Sequence, residues 1–211
     1  MVKESKRKIL RARAAEDGPS RQSKKDKDIA ASILDATLAQ ADRVGWDNVY
    51  LSDVARNLRM PLVEIRRHYR DLDAVANAHF TRAFAAMLAE SSRVRTRRPE
   101  DRIETLLGAW FEALRPHAKT GWAMIAGKLY PFHPHHWVPL IFSLSRLIQW
   151  LRDAAFLRAG LPRRSGEEIF LSALFVLALI AWRGDGQAGE RRARALIARA
   201  LGEVARFRCF R

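Results

Sequence analysis

The stretch that decides the fold runs from Asp28 to Val75, DIAASILDATLAQADRVGWDNVYLSDVARNLRMPLVEIRRHYRDLDAV. Ile29, Ile33, Leu34, Ala36, Leu38 and Ala41 recur at helical spacing, and Gly45 stands where such a helix should stop in a left-handed turn. A second, short helix is expected from about Ser52, as its N-cap, to Leu58. Pro61 suits the first turn of a third helix reaching about Arg70, and Asp71 caps a fourth from Leu72 to about Ser92. Trp46, Val54, Ala55, Leu58, Ile65 and Tyr69 are the apolar set that a small three-helix core must bury. Two short helices joined by a tight turn, braced by a longer helix in front, form a helix-turn-helix.

N-terminal to this stretch, residues 1–27 are polar, basic and interrupted by Gly18-Pro19-Ser20. Such a composition buries too little apolar surface to pack a core, and a flexible basic arm is expected. It reads either as a solvated tail or as an arm that tracks phosphates or the minor groove. On the other side, residues 28–92 make the helix-turn-helix domain with its connecting helix, and the charged segment from Arg93 to Asp101, containing Pro99, marks a boundary. Residues 93–211 then read as a second helical domain, with helices at roughly 100–115, 119–130, 135–159, 166–183 and 188–207 punctuated by proline and glycine. No useful β-type alternation occurs, so the chain is expected to be all-α.

The bulk composition agrees. At 211 residues and 48% apolar, the chain holds enough for one small and one medium domain. A net charge of +15 points to a polyanionic partner, nucleic acid or an anionic membrane surface. The 30 arginines against 8 lysines also fit a GC-rich coding bias, and the charge is spread along the chain. No stretch supplies the ~20 apolar residues of a membrane-spanning helix; Ile169 to Trp182 comes nearest. One cysteine, Cys209, builds neither a disulfide framework nor a zinc cage, which fits a reducing, cytoplasmic setting.

The run Ile33-Leu34-Asp35-Ala36-Thr37-Leu38, then Gly45-Trp46-Asp47, Asp53-Val54-Ala55 and Ile65-Arg66-Arg67-His68-Tyr69, resembles the DNA-binding domain of the TetR family. The match holds without a gap from Ile33 to Val75, about a fifth of the chain. The resemblance implies a DNA-binding transcriptional regulator of the repressor kind, whose C-terminal domain dimerises and binds a small hydrophobic effector. On the matched motif the DNA contacts would fall to Arg56, Leu62, Glu64, Arg66, Arg67, His68 and Arg70. The reader helix departs from the family pattern: Arg59 replaces the turn glycine, Pro61 the following serine, and Leu62, Val63 and Glu64 the small or polar positions. Leucine and valine can touch a thymine methyl, and glutamate can accept from cytosine N4. A second reading therefore stays open, a TetR-fold accessory protein that binds lipid or isoprenoid and has lost sequence-specific DNA binding, as in ubiquinone biosynthesis.

For the C-terminal domain, Trp110, Phe111, Trp122, Met124, Tyr130, Trp137 and Phe142 are expected either to line a hydrophobic cavity or to pack as an ordinary core. A homodimer is expected through the last two helices. One of them is apolar nearly all round, and the other carries the stripe Ala193, Leu196, Ile197, Ala200, Leu201 and Val204. Enzymatic chemistry is not expected: there is no G-x-S-x-G, no phosphate-cradling glycine loop and no H-E-x-x-H. His133, His135 and His136, with His117 upstream, lack a neighbouring cysteine or carboxylate, so neither metal nor cofactor is assigned.

Overall fold

The computed structural model describes residues 2–95, 97–128 and 134–206, with side chains described for 23–95, 97–128 and 143–206. Its helices are α1 Val2–Val44, α2 Leu51–Asn57, α3 Leu62–His68, α4 Leu72–Ala89, α5 Ser91–Val94, α6 Pro99–Leu114, α7 Ala118–Lys128, α8 Pro134–Ala154, α9 Arg163–Trp182 and α10 Gly186–Arg206. No strand occurs among the described residues.

Two hydrophobic cores form. The first gathers Ile33, Leu34 and Leu38 of α1, Val54 and Ala55 of α2, Ile65 of α3 and Val75 of α4, closed by Tyr69. Most of the set that the helical spacing marked is buried here, but Trp46, Leu58, Ile29 and Ala36 are only partly buried against it. The Tyr69 hydroxyl donates to the carbonyl of Ala30 at 3.0 Å, and Arg82 of α4 donates to Asp35 of α1 at 2.6 Å. Burial of Tyr69 pushes its hydroxyl pKa up. The second core is built from α6, α9 and α10 with one face of α4, α7 and α8, and contains Met87, Ile103, Trp110, Phe111, Leu171, Phe175, Trp182 and Ile197. Arg152 of α8 meets Glu167 of α9 at 2.9 Å with both side chains buried, a pair whose desolvation is offset only while both partners are present.

Several boundaries differ from the sequence reading. Helix α1 begins at Val2, so the residues expected as a flexible arm up to position 27 are helical. Alanine, arginine, lysine and glutamate dominate the stretch before Gly18, and these are strong helix formers even where no core is available. Tyr50, not Ser52, occupies the N-cap of α2, and Pro61 precedes α3 as its N-cap rather than standing inside it. Gly45 ends α1 with φ +84° and ψ 149°, an extended mirror conformation that glycine alone adopts readily, not the left-handed helical one. Asp71 does cap α4, its Oδ1 accepting from the Ala74 amide at 2.7 Å.

The stripe on α10 also turns out differently. Ala193, Ile197 and Leu201 are buried within the chain's own core, and Leu196, Ala200 and Val204 pack against it. The exposed apolar face belongs to α9, where Ile169 is 72% and Leu177 53% exposed, with Val176 and Ile180 beside them. Helix α9 is apolar nearly all round because it has two duties. One face, with Leu171, Leu174, Phe175 and Ala178, fills the core, and the other stays uncovered. By length and composition α9 also passes for a spanning helix, although its Glu167 is buried against Arg152.

Candidate nucleic-acid interface

The turn between α2 and α3 sets the pose of the reader helix. Met60 N donates to Ala55 O at 3.0 Å and Arg59 N to Arg56 O at 3.1 Å, the paired bonds of a Schellman motif. Arg59 takes φ +52°, the left-handed position normally given to glycine. The departure of residue type therefore leaves the backbone of the turn in place. Helix α3 is then fixed from behind by buried Ile65 and, one residue past its end, by Tyr69.

Facing outward, the expected contact residues separate into groups. Arg56, Arg66, Arg67 and Arg70 are exposed on or beside α2 and α3. Arg56 pairs with Asp53, and Arg70 pairs with Asp71 at 2.8 Å. The Arg70 guanidinium and the Ala74 amide hold the Asp71 carboxyl below the usual carboxylate range. Arg66 forms no ion pair among the described residues, although its charge helps hold the Asp71 carboxyl down. Glu64 is not a free carboxylate: Arg67 Nη1 donates to its Oε2 at 2.8 Å, and His68 Nε2 lies 3.5 Å from its Oε1. His68 is only 12% exposed at its side chain, folded back toward Glu64. Leu62 and Val63, by contrast, stand out at 52% and 61% exposure. The sequence marks them as departures, but their exposure and the capture of Glu64 become visible only with side chains in place.

Of the residues expected at an effector site, Trp110, Phe111 and Trp122 belong to the second core and Met124 to the first. Trp110 and Phe111 are buried against each other at 5.0 Å, with Phe175 5.0 Å from Trp110 and Trp182 6.1 Å from Phe111. Met124 belongs to the first core, not the second, and Trp122 is half-buried at the edge. Tyr130 lies outside the described residues, and so do the side chains of Trp137 and Phe142. The histidines at 133, 135 and 136 and Cys209 likewise fall outside the described side chains. A shallow open depression of about 600 Å³ lies elsewhere, where His68, Tyr69 and Arg70 meet Ala74, Asn77, Ala78 and Thr81 of α4.

Buried polar atoms without a protein partner among the described residues include Trp110 Nε1, Trp182 Nε1 and both ring nitrogens of His79. His79 is held at about 4, chiefly by burial, with His117 and Arg82 adding repulsion and Asp42 opposing them. It is neutral at ordinary pH.

Among solved structures, the TetR transcriptional regulator from Nitrosomonas europaea ATCC 19718 aligns at 30% identity with a TM-score of 0.74, over 84% of this chain and 98% of that one. The chain belongs to the TetR family of transcriptional regulators. The fold alone is shared with the TetR family transcriptional regulator PfmR from Thermus thermophilus, at 15% identity and TM-score 0.53 over 81% of this chain and 97% of that one. The same holds for a TetR-like transcriptional regulator from Rhodococcus sp. RHA1, at 16% identity and TM-score 0.54 over 83% and 94%. No family model and no curated protein matches the sequence. In this TetR-family chain the helix-turn-helix is thus α2 and α3, with α1 and α4 bracing it.

Proposed function

We propose that this TetR-family protein is a cytoplasmic, non-enzymatic repressor that reads double-stranded DNA with residues 28–92 and dimerises through residues 93–211. The carrying observation is the exposed arginine set around a reader helix whose rear is locked into a core, with Arg66 in no ion pair among the described residues. Arg66, Arg67 and Arg70 hold phosphates, and Arg56 flanks them. In the dimer the two copies of α3 sit about one DNA turn, ~34–36 Å, apart on a palindromic site. A small hydrophobic effector acts on the C-terminal domain. The support for it is the pair of buried, unpartnered indole donors, Trp110 Nε1 and Trp182 Nε1, which a largely apolar effector with one acceptor group would satisfy. Groups of that kind are costly unless something satisfies them.

The test is a duplex-binding titration across salt concentration. Arg66→Ala should weaken binding to every sequence and flatten the salt dependence by about one phosphate contact. Purified protein that carries lipid and retains no duplex even at low salt would overturn this reading in favour of a TetR-fold lipid- or isoprenoid-binding accessory protein.

A further inference from the structure

The leading edge of α3 carries an unusual combination for a surface that meets DNA. From Pro61 to Val63 it offers no hydrogen-bonding side chain, and the Glu64 carboxylate that follows already accepts from Arg67. Leu62 is 52% and Val63 61% exposed, although both could gain by burial. In the major groove one base-edge group is apolar, the C5-methyl of thymine. Resting on the DNA-binding reading above, we infer that this protein selects its half-site by packing Leu62 and Val63 against thymine methyl groups, and that Glu64 does not read cytosine.

Successive helical residues point ~100° apart, so Leu62 and Val63 address neighbouring base pairs rather than one. The half-site therefore carries thymines at adjacent steps under the tip of α3. Arg66, one turn further along and in no ion pair among the described residues, fixes the register from the phosphate side. Pairing of Glu64 with Arg67 within its own helix also offsets part of the repulsion that an isolated carboxylate would bring to the phosphate lattice.

Full-length protein would be used to select duplexes from a random-sequence library, and the best binder would be resynthesised with uracil in place of thymine. That exchange removes only the methyl group and keeps base pairing and the O4 acceptor. The dissociation constant should rise about four-fold for each thymine read, the worth of one buried methyl-sized group. The double variant Leu62→Ala with Val63→Ala should bind the thymine and uracil copies alike. Both side chains are exposed, so an unchanged unfolding midpoint checks that the fold is kept. Equal binding of the two copies by the parent protein overturns the methyl-reading inference and leaves DNA binding standing. Relaxed preference at a cytosine in Glu64→Ala overturns it too. Failure to enrich any duplex brings down both readings, and attachment of the apolar tip to another protein would then be the remaining use for it.

Discussion

The carboxylate of Asp42, in the last turn of α1, lies 2.6 Å from Nδ1 of His117 at the entrance to α7. Its other oxygen accepts from Thr120 Oγ1, also at 2.6 Å. At the far end of α7, Lys128 pairs with Asp73 and donates to Asn77 Oδ1 at 3.0 Å, both on α4. Between these points Met124 is buried in the first core. His117, Thr120, Met124 and Lys128 thus hold one side of the segment to the DNA-reading domain, while Ala118 and Ile125 fill the second core. One helix binds the two cores together.

Asp42→Ala should therefore destabilise the protein by about 1–2 kcal/mol, because the buried Thr120 hydroxyl loses its acceptor. Asp42→Asn, which keeps an acceptor oxygen, should lose less. Denaturant midpoints at constant slope measure both, and an unchanged midpoint in the alanine variant would remove the clasp from the account.

Arg59 is a stability reserve. Its φ of +52° is strained for any residue with a Cβ and free for glycine. Arg59→Gly should raise stability by about 0.5–1 kcal/mol, the relief of strain being partly cancelled by the greater freedom of glycine in the unfolded chain. Arg59→Ala should bring no such gain, since alanine keeps the same conflict. Thermal unfolding of the pair would separate backbone strain from loss of the arginine charge.

These residues also mark how far the sequence could be read. The first core was legible because Ile33, Leu38, Val54 and Ile65 repeat at helical spacing and bury as that spacing requires. The left-handed turn was legible only as a missing glycine; that Arg59 takes the strained conformation depends on the packing of α2 and α3 around it. Glu64 looked like a free acceptor because its partner Arg67, three residues on, acts through a rotamer that no spacing rule fixes. The aromatic richness of Trp110, Phe111 and Trp122 fits a cavity and a packed core equally well, and the described side chains pack. The apolar stripe of α10 gave no sign of which neighbour it would meet, and it met α9 of its own chain.

His79 gives the stability a pH dependence. Its pKa falls from 6.5 to about 4 on folding, chiefly because burial opposes the charged ring. Between those values the unfolded chain binds the proton and the folded one does not, so stability declines as pH falls from about 6.5 toward 4 and levels off below. The full span amounts to roughly 3 kcal/mol by linkage. In His79→Phe the unfolding free energy should be flatter with pH across this window. A parent-like slope in the variant would assign the effect to other groups.

The last prediction concerns assembly and separates two faces of the same helix pair. Ile169, Val176, Leu177 and Ile180 expose an apolar strip along α9, while α10 beside it exposes small residues at Ala195, Ala198 and Gly202. Large side chains on one helix and small ones on its neighbour allow two copies to close in a two-fold, four-helix contact, each ridge meeting the other copy's low ground. Leu177 is 53% exposed and Leu201 1%, so the same substitution at each should have opposite consequences. Leu177→Asp should leave a folded chain that sediments at 24.1 kDa, where the parent should sediment at twice that mass. Its duplex affinity should drop steeply, because one reader helix cannot span two half-sites. Leu201→Asp should instead unfold the chain by burying an unpaired carboxylate. A parent protein that sediments as a monomer at micromolar concentration would leave the α9 strip without a partner and end the dimer reading.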